Sequence, residues 1–253
     1  MPGIAALHTC AQRHLRDYTD PHGRRAFAAY DRQGDPAALE PVDCLAPALL
    51  SVPLGHRQVI PLFQPDGPGA RLLRAMQDVL DDEACATADF LDLDLVPAGH
   101  DPVLDDPTGP WALVDRALAA SRDVAGVKAV AVTKILHRKR PRLVPIFDRS
   151  IHRFYTGLTP PTGAYRDTPR TLWPLLQNDL RRHRTWLTDL AAPITTPDGR
   201  PLSPLRAADI VIWEHTAIGC TGGPATSAGN REEGHLRQPD AGLDRRPGRA
   251  KNR

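Results

Sequence analysis

The sequence predicts a mostly α-helical protein: a single multi-helix globular domain over residues 4–216, followed by a disordered basic tail over residues 217–253. Apolar residues recur at the 3.6-residue spacing of a helix in most segments of the domain. Only the stretch 89–97 alternates as a strand does, and it is short enough to be an extended loop. From Gly219 the chain is rich in Gly, Pro, Ser, Asn and Arg. Such a composition buries too little apolar surface to offset the entropy that folding costs.

The individual helices follow from this spacing and from residues that begin helices. The clearest helix covers residues 68–81, which carry a continuous apolar face. Asp43 and Asp148 each precede an apolar helical segment and are predicted to be N-caps, and Pro204 is predicted to begin the last helix. The remaining predicted helices cover residues 4–17, 23–32, 43–50, 111–121, 126–136, 149–156 and 170–190.

Positive charge is concentrated in the tail. Residues 217–253 hold seven Lys or Arg and four Asp or Glu, whereas the whole chain has a net charge of +2. The folded domain is therefore close to neutral, and its net charge does not predict binding to nucleic acid.

The four cysteines, Cys10, Cys44, Cys85 and Cys220, are predicted to be reduced thiols. None belongs to a C-x-x-C pair, and no pair of histidines at zinc spacing accompanies them. Neither a disulfide framework nor a zinc site is expected. The sequence also lacks a signal peptide and an apolar run of about 18 residues. We therefore expect a soluble cytoplasmic protein that binds no metal, cofactor or membrane.

The segment LHRKRPRLVPIFDRSI, residues 136–151, holds the candidate site. A basic cluster precedes a single carboxylate, Asp148, and contains Lys134, Arg138, Lys139, Arg140 and Arg142. These cations could bind the phosphates of a nucleic acid, or they could be a solvated helix end whose charges complement the helix dipole. Asp148 could be a general base or stabilise a cationic sugar transition state, or it could only cap its helix.

Other polar residues offer weaker alternatives. Lys134 could extend its ammonium group into water or pair with Asp148. His137 and His152 could each approach Asp148. The Glu214-His215 pair could act in acid/base chemistry, although a histidine at a helix end is more often a favourable cation. Three acidic residues of the alternating stretch could bind a metal ion, although no basic partner motif accompanies them: Asp89, Asp92 and Asp94.

The layout of residues 126–151 resembles the helix-hairpin-helix DNA glycosylase superfamily. Gly126 matches the first glycine of the hairpin, and Asp148 matches the catalytic aspartate. Lys128 replaces the second glycine, and Val130 or Ala131 stands where bifunctional enzymes have a lysine nucleophile. The resemblance implies DNA as the partner, phosphate contacts by the hairpin and the basic cluster, and Asp148 as the catalytic residue of a degenerate or monofunctional enzyme.

A second resemblance covers about residues 20–216. The segments AFAAYDR, DCLAPALLSVPL, DFLDLDL, VTKILHRKRPRLVPIFDR and LRAADIVIWEH are similar to an uncharacterised, largely actinobacterial family of unknown function. That resemblance implies a shared fold and no particular activity. The sequence therefore predicts a nucleic-acid-associated protein with a helix-hairpin-helix-like element. The alternative is a non-enzymatic helical domain that binds a protein partner or a small anion.

Overall fold

The structure is a computed structural model that describes residues 3–23, 25–96, 102–158 and 168–220. The tail predicted to be disordered lies almost entirely outside these residues. Within them the chain is mostly helical, and the only extended pairing is an isolated bridge between Thr195 and Pro201. The prediction of a mostly α-helical fold is confirmed.

Twelve α-helices are formed by the described residues, joined by short 3₁₀ turns and loops. They are α1 (Ala11–Thr19), α2 (Phe27–Tyr30), α3 (Pro41–Leu45), α4 (His56–Val59), α5 (Pro68–Asp81), α6 (Glu83–Thr87), α7 (Pro110–Ala120), α8 (Ala129–Lys139), α9 (Arg149–Thr156), α10 (Thr168–Arg182), α11 (Arg184–Ala191) and α12 (Pro204–Ile218).

Apolar spacing and capping residues correctly predicted where several of these helices begin or end. Helix α5 has the bounds that its apolar face predicted. Asp148 caps α9, since its carboxylate accepts hydrogen bonds from the backbone N–H groups of Ser150 and Ile151. Ser203 caps α12 in the same way, directly before Pro204. Asp43, predicted as an N-cap, instead lies at the third position of α3 and accepts from the N–H of Glu40.

The alternating stretch 89–97 is not a strand over its described residues. Turns replace the predicted extended backbone after Asp89, whose side chain accepts from the N–H of Leu91. The amide of Gln177 then donates to the carbonyl oxygens of Phe90 and Leu93. A side chain of α10 therefore satisfies backbone groups that a neighbouring strand would otherwise pair.

Helix α8 lies at the centre of the domain. All nine residues from Ala131 to Lys139 are buried, whereas an amphipathic surface helix would bury one face. It packs against α3, α5, α7 and the 3₁₀ turn Ala46–Leu50. Enclosure on all sides means that every polar side chain of this helix needs a partner inside the protein.

Helices α1 and α12 pack together and bring the two ends of the described domain into contact. A disulfide joins Cys10, directly before α1, to Cys220, beyond the end of α12. The prediction of four reduced thiols is wrong for this pair, which is separated by 210 residues. Cys44 and Cys85 are free and buried, as expected. None of the described helices combines the length and the apolar character that crossing a membrane requires.

Gly69 should be intolerant of a side chain although it lies inside a helix. A Cβ atom at this position would be 2.2 Å from the carbonyl oxygen of Pro61. We expect Gly69→Ala to lower the free energy of unfolding by about 1–3 kcal/mol, because backbone must move, whereas Gly to Ala in an unobstructed helix gains about 1 kcal/mol. Chemical denaturation measures the difference.

Gly55→Ala is the matched control for that substitution. Its added Cβ would be 3.6 Å from the Gln58 side-chain oxygen, an ordinary contact. We expect Gly55→Ala to lose less stability than Gly69→Ala. Equal stability of Gly69→Ala and the unsubstituted protein would contradict the close approach of α5 to Pro61.

Candidate functional site

A polar pocket of about 150 Å³ lies beside the centre of α8, the first residue before α9 and the middle of α12. Its charged side chains are Arg25, Lys134, Asp148, Arg206 and Asp209. The other lining residues are Tyr18, Ala26, Leu49, Leu50, Ser51, Ile146, Ile210 and Trp213. The pocket therefore combines buried charges with an apolar wall, which is the usual composition of a ligand site.

Asp148 both caps its helix and lines this pocket. One carboxylate oxygen, Oδ1, accepts from the N–H groups of Ser150 and Ile151 at 2.9 and 3.0 Å. The other, Oδ2, is 3.7 Å from the ammonium nitrogen of Lys134. Capping by Asp148 is thus confirmed, and its second oxygen pairs with Lys134 in the lining of the pocket.

Lys134 is buried, and its ammonium group does not reach into water as one of the alternatives predicted. Its Nζ donates to the carbonyl oxygen of Leu50 at 2.8 Å and pairs with Asp148. Burial lowers the pKa of Lys134, and the negative charges of Asp148 and Asp209 partly oppose this effect. Pairing of Lys134 with Asp148, the other alternative, is confirmed.

Arg206 supplies a second charged group of the pocket. Its guanidinium donates to both carboxylate oxygens of Asp31, at 2.7 and 2.8 Å, and contacts one oxygen of Asp209. It also donates to the hydroxyl of Tyr18 at 3.2 Å and lies over the ring of Tyr30. These partners hold the side chain in place, so that it forms a fixed positive wall.

Asp209 is the residue of this pocket with an unused acceptor. Its Oδ1 is buried and has no hydrogen-bond partner among the described residues, and the residue is 8% exposed. Burial raises the pKa of Asp209 to about 6, with the charge of Arg206 opposing the rise and that of Asp148 adding to it. Its carboxylate is therefore expected to titrate near neutral pH.

Sequence reasoning missed Arg206 and Asp209. A signal was present: the two residues are three positions apart in α12, and the residues between and directly after them, Ala207, Ala208 and Ile210, are apolar. Charged residues spaced to share the buried face of a helix are rarely buried unless paired. That pattern predicts an internal ion pair, although it does not predict the pocket.

Arg25 and Trp213 also line the pocket, and both are partly exposed. Arg25 forms an ion pair with Glu214, with its Nε 2.7 Å from the carboxylate, and its guanidinium lies 4.9 Å from the centre of the Trp213 ring. Ser51, also in the lining, has a left-handed backbone with φ of 62°. This conformation is uncommon outside glycine and is often found near functional sites.

The predicted basic cluster is not an exposed surface, since four of its five cations are buried. Asp43 neutralises two of them: it pairs with Arg138 at 2.9 Å and with Lys139 at 2.8 Å. Lys139 also donates to the carbonyl oxygens of Gln33 and Asp35. The cations at the end of α8 therefore bind protein oxygen atoms inside the domain.

Arg140 completes this internal arrangement by donating to the carbonyl oxygens of Pro36 and Leu80. The expectation of solvated cations at Lys134, Arg138, Lys139 and Arg140 is wrong. The physical reason is that α8 is enclosed by the segments before and after it, and their backbone oxygens replace water.

Three predicted nucleic-acid contacts remain exposed: Gly126, Lys128 and Arg142. Gly126 has φ of 78°, as a turn glycine does, and Lys128 is the residue directly before α8. Arg142 pairs with Asp89 and lines a separate depression together with Arg140 and Arg200. None of the three lines the pocket of Asp148, and their contact with nucleic acid stays a prediction.

The weaker alternatives find other partners. The ring nitrogens of His137 and His152 contact the carbonyl oxygens of Val144 and Leu158, respectively. Burial lowers the pKa of His215, so that the predicted cation at the end of α12 is disfavoured. Each carboxylate of the suggested metal group pairs with an arginine instead, in the pairs Asp89 with Arg142, Asp92 with Arg184 and Asp94 with Arg181.

Residues 11–216 match the profile of DUF6308, a family of unknown function. The chain belongs to this family. The match begins in α1 and ends in α12, so the whole lining of the pocket, from Tyr18 to Trp213, lies inside the DUF6308 region. Searches of curated proteins and of solved structures each found no match.

Proposed function

We propose that this DUF6308 domain binds a small polar ligand in the pocket and that Asp209 and Asp148 accept hydrogen bonds from it. The observation that carries the proposal is Oδ1 of Asp209, a buried oxygen that has no hydrogen-bond partner among the residues that the structure describes. Asp209 lines the pocket. A buried acceptor with no partner costs about 1–3 kcal/mol. A ligand N–H or O–H group that reaches this oxygen recovers part of that free energy.

The charges of the pocket favour a neutral or weakly cationic ligand with several donors. Lys134 and Arg206 already have carboxylate partners, Asp148 and Asp31. An anionic ligand would have to compete with these buried ion pairs. The acceptor without a partner among the described residues is a carboxylate oxygen of Asp209, and such an acceptor selects amino, imino and hydroxyl groups.

The size of the cavity limits the ligand further. One water molecule requires roughly 10–15 Å³ of cavity volume. The pocket of about 150 Å³ therefore has room for a molecule the size of a pentose or a nucleobase. The apolar wall formed by Leu49, Ile146 and Trp213 suits one face of a small ring. We therefore expect a cyclic ligand with donors on one edge.

A second candidate function is the base excision that the helix-hairpin-helix resemblance implies. The observation that favours it is the position of Asp148, which begins a helix and directs one oxygen to a pocket beside Lys134. A nucleotide turned out of DNA would place its sugar or base there. The carboxylate would stabilise positive charge on the sugar as the base leaves and water attacks. Phosphate contacts would fall to the exposed Gly126, Lys128 and Arg142.

Thermal denaturation of the full chain with nucleobases, nucleosides, pentoses and small primary amines tests the first proposal. A ligand at 100 times its Kd stabilises the folded state by about 2.7 kcal/mol, and we expect one class to raise Tm by about 5 °C or more. Calorimetric titration should then show that Asp209→Asn weakens binding at least tenfold. No shift from any class, or unchanged binding by Asp209→Asn, would refute the proposal.

Binding should also strengthen as pH rises from 5 to 7. The pKa of Asp209 is raised to about 6, so its acceptor oxygens are protonated more often below that pH and ionised above it. The other charged groups around it are Lys134, Asp148, Arg206 and Asp31. Asp209→Asn should remove this pH dependence, whereas Asp92→Asn, in an exposed ion pair, should leave it unchanged.

Assays with DNA distinguish the second candidate function from the first. If bases are excised from DNA, Asp148→Asn should abolish the reaction, and Lys128→Ala together with Arg142→Ala should reduce the salt dependence of DNA binding. Ligand binding without any affinity for DNA would favour the first candidate alone. Neutralising Arg138, Lys139 and Arg140 would not test DNA binding, because these cations are buried.

A further inference from the structure

A second cluster of chemically reactive side chains lies where α1 and α12 meet. It consists of Cys10, His14, His215 and Cys220, whose sulfur and ring nitrogen atoms all lie within 4.8 Å of one another. Two residues come from the start of α1, and two come from the end of α12. Two cysteines and two histidines are one of the common ligand sets of structural zinc sites.

His14 provides an independent sign of a missing partner. The residue is 0% exposed, and neither of its ring nitrogens has a hydrogen-bond partner among the described residues. A buried imidazole without partners is costly. The disulfide between Cys10 and Cys220 occupies both sulfur atoms and gives neither ring nitrogen of His14 a hydrogen-bond partner.

His215 is placed to act together with His14. The two rings lie 6.5 Å apart between centroids, and Nδ1 of His215 is 3.3 Å from the sulfur of Cys220. His215 and Cys220 are partly exposed, and they leave a path for an ion to enter.

We propose that Cys10, His14, His215 and Cys220 bind one divalent transition-metal ion, with Zn²⁺ as the best fit, when the two cysteines are reduced. Two thiolates and two imidazoles give a tetrahedral set at about 2.3 Å and 2.0–2.1 Å from zinc. Small side-chain rotations bring four atoms from mutual separations of up to 4.8 Å to those of such a tetrahedron. The ion would join the first and last helices of the DUF6308 region.

The disulfide and the metal site are alternative states of the same two cysteines. Two equivalents of a monothiol reduce the disulfide, giving two cysteine thiols and one oxidised thiol dimer. Binding of Zn²⁺ then releases the two thiol protons. Oxidation by a disulfide reagent reverses the sequence: two electrons pass from the thiolates to the reagent, whose sulfur–sulfur bond breaks and which takes up two protons to give two thiols. The bond between Cys10 and Cys220 forms, and the ion is released.

Cobalt titration of the reduced, metal-free full chain tests this proposal. We expect one Co²⁺ per chain, with the thiolate charge-transfer and d–d absorption of tetrahedral coordination, and displacement of cobalt by Zn²⁺. Cys10→Ser, His14→Ala, His215→Ala and Cys220→Ser should each weaken cobalt binding at least 100-fold. The matched controls Cys85→Ala and His22→Ala, which lie outside the cluster, should bind as the unsubstituted chain does.

Two further measurements distinguish a loss of metal ligands from a loss of folding. Far-UV circular dichroism verifies that each variant remains helical, and Cys220→His should still bind cobalt tetrahedrally, with weaker charge-transfer absorption. The proposal is overturned if the reduced chain binds no cobalt, if the spectrum is that of octahedral adventitious binding, or if His215→Ala and Cys220→Ser bind unchanged. A disulfide that persists under reductant in the folded chain would equally overturn it.

Discussion

Asp43→Asn should lower the free energy of unfolding by about 3–5 kcal/mol, because it leaves two buried cations without a counter-charge. The Asp43 side chain is 1% exposed, and it pairs with Arg138 and Lys139, whose side chains are 6% and 0% exposed. Asparagine keeps the shape of the side chain but removes the charge. The carbonyl oxygens around the two cations cannot replace that charge fully. Urea denaturation of both proteins measures the loss.

Asp92→Asn is the matched control for this prediction. Asp92 also pairs with an arginine, Arg184, but the two side chains are 57% and 45% exposed. Exposed ion pairs contribute about 0–1 kcal/mol, so the control should stay within 1 kcal/mol of the unsubstituted protein. Similar losses from the two substitutions would mean that Asp43 does not lie in the buried ion pairs described above.

Arg206→Met should be similarly destabilising, by about 3–5 kcal/mol. Arg206 is 2% exposed, and its removal would leave the carboxylates of Asp31 and Asp209 buried without their cation. Methionine fills much of the same space, so the loss reports mainly on charge. The variant should recover stability as pH falls, because burial raises the pKa of Asp209 to about 6 and protonation neutralises its carboxylate.

A double-mutant cycle separates this charge effect from packing. Asp31→Asn combined with Arg206→Met removes the cation and one of its two carboxylate partners. We expect the double variant to be more stable than the sum of the two single losses predicts, by about 1–3 kcal/mol. Additive losses would show that the pairing with Asp31 contributes little, and that Arg206 stabilises the domain through Asp209 and the rings of Tyr18 and Tyr30.

Local pattern predicted most of the helices, because periodicity and capping act over a few residues. Helix α5 and the cap of α9 by Asp148 were placed correctly. The predicted helix 170–190 is two helices that separate at His183. For the alternating stretch 89–97, the loop alternative holds over the described residues and the strand alternative does not, because the amide of Gln177, more than 80 residues away, satisfies its backbone.

The candidate site was predicted only in part. Asp148 and its pairing with Lys134 were among the sequence alternatives, since both belong to one contiguous segment. Arg206 and Asp209 were not, because they belong to a helix that comes near Asp148 only after folding. The cluster of cysteines and histidines was missed for the same reason: its two halves have no zinc-like spacing along the chain and meet when α1 packs against α12.

The sequence by itself determined that the domain is helical, where most helices lie and that Asp148 begins one of them, because neighbouring residues suffice for these features. Only the tertiary structure decided the role of the basic cluster. Arg138 meets Asp43 across 95 positions of sequence, and no local pattern shows which distant oxygens will surround a cation. Burial depends on the packing of the whole chain, and here it places four of the five cations of the basic cluster inside the domain, against carboxylate and carbonyl oxygens.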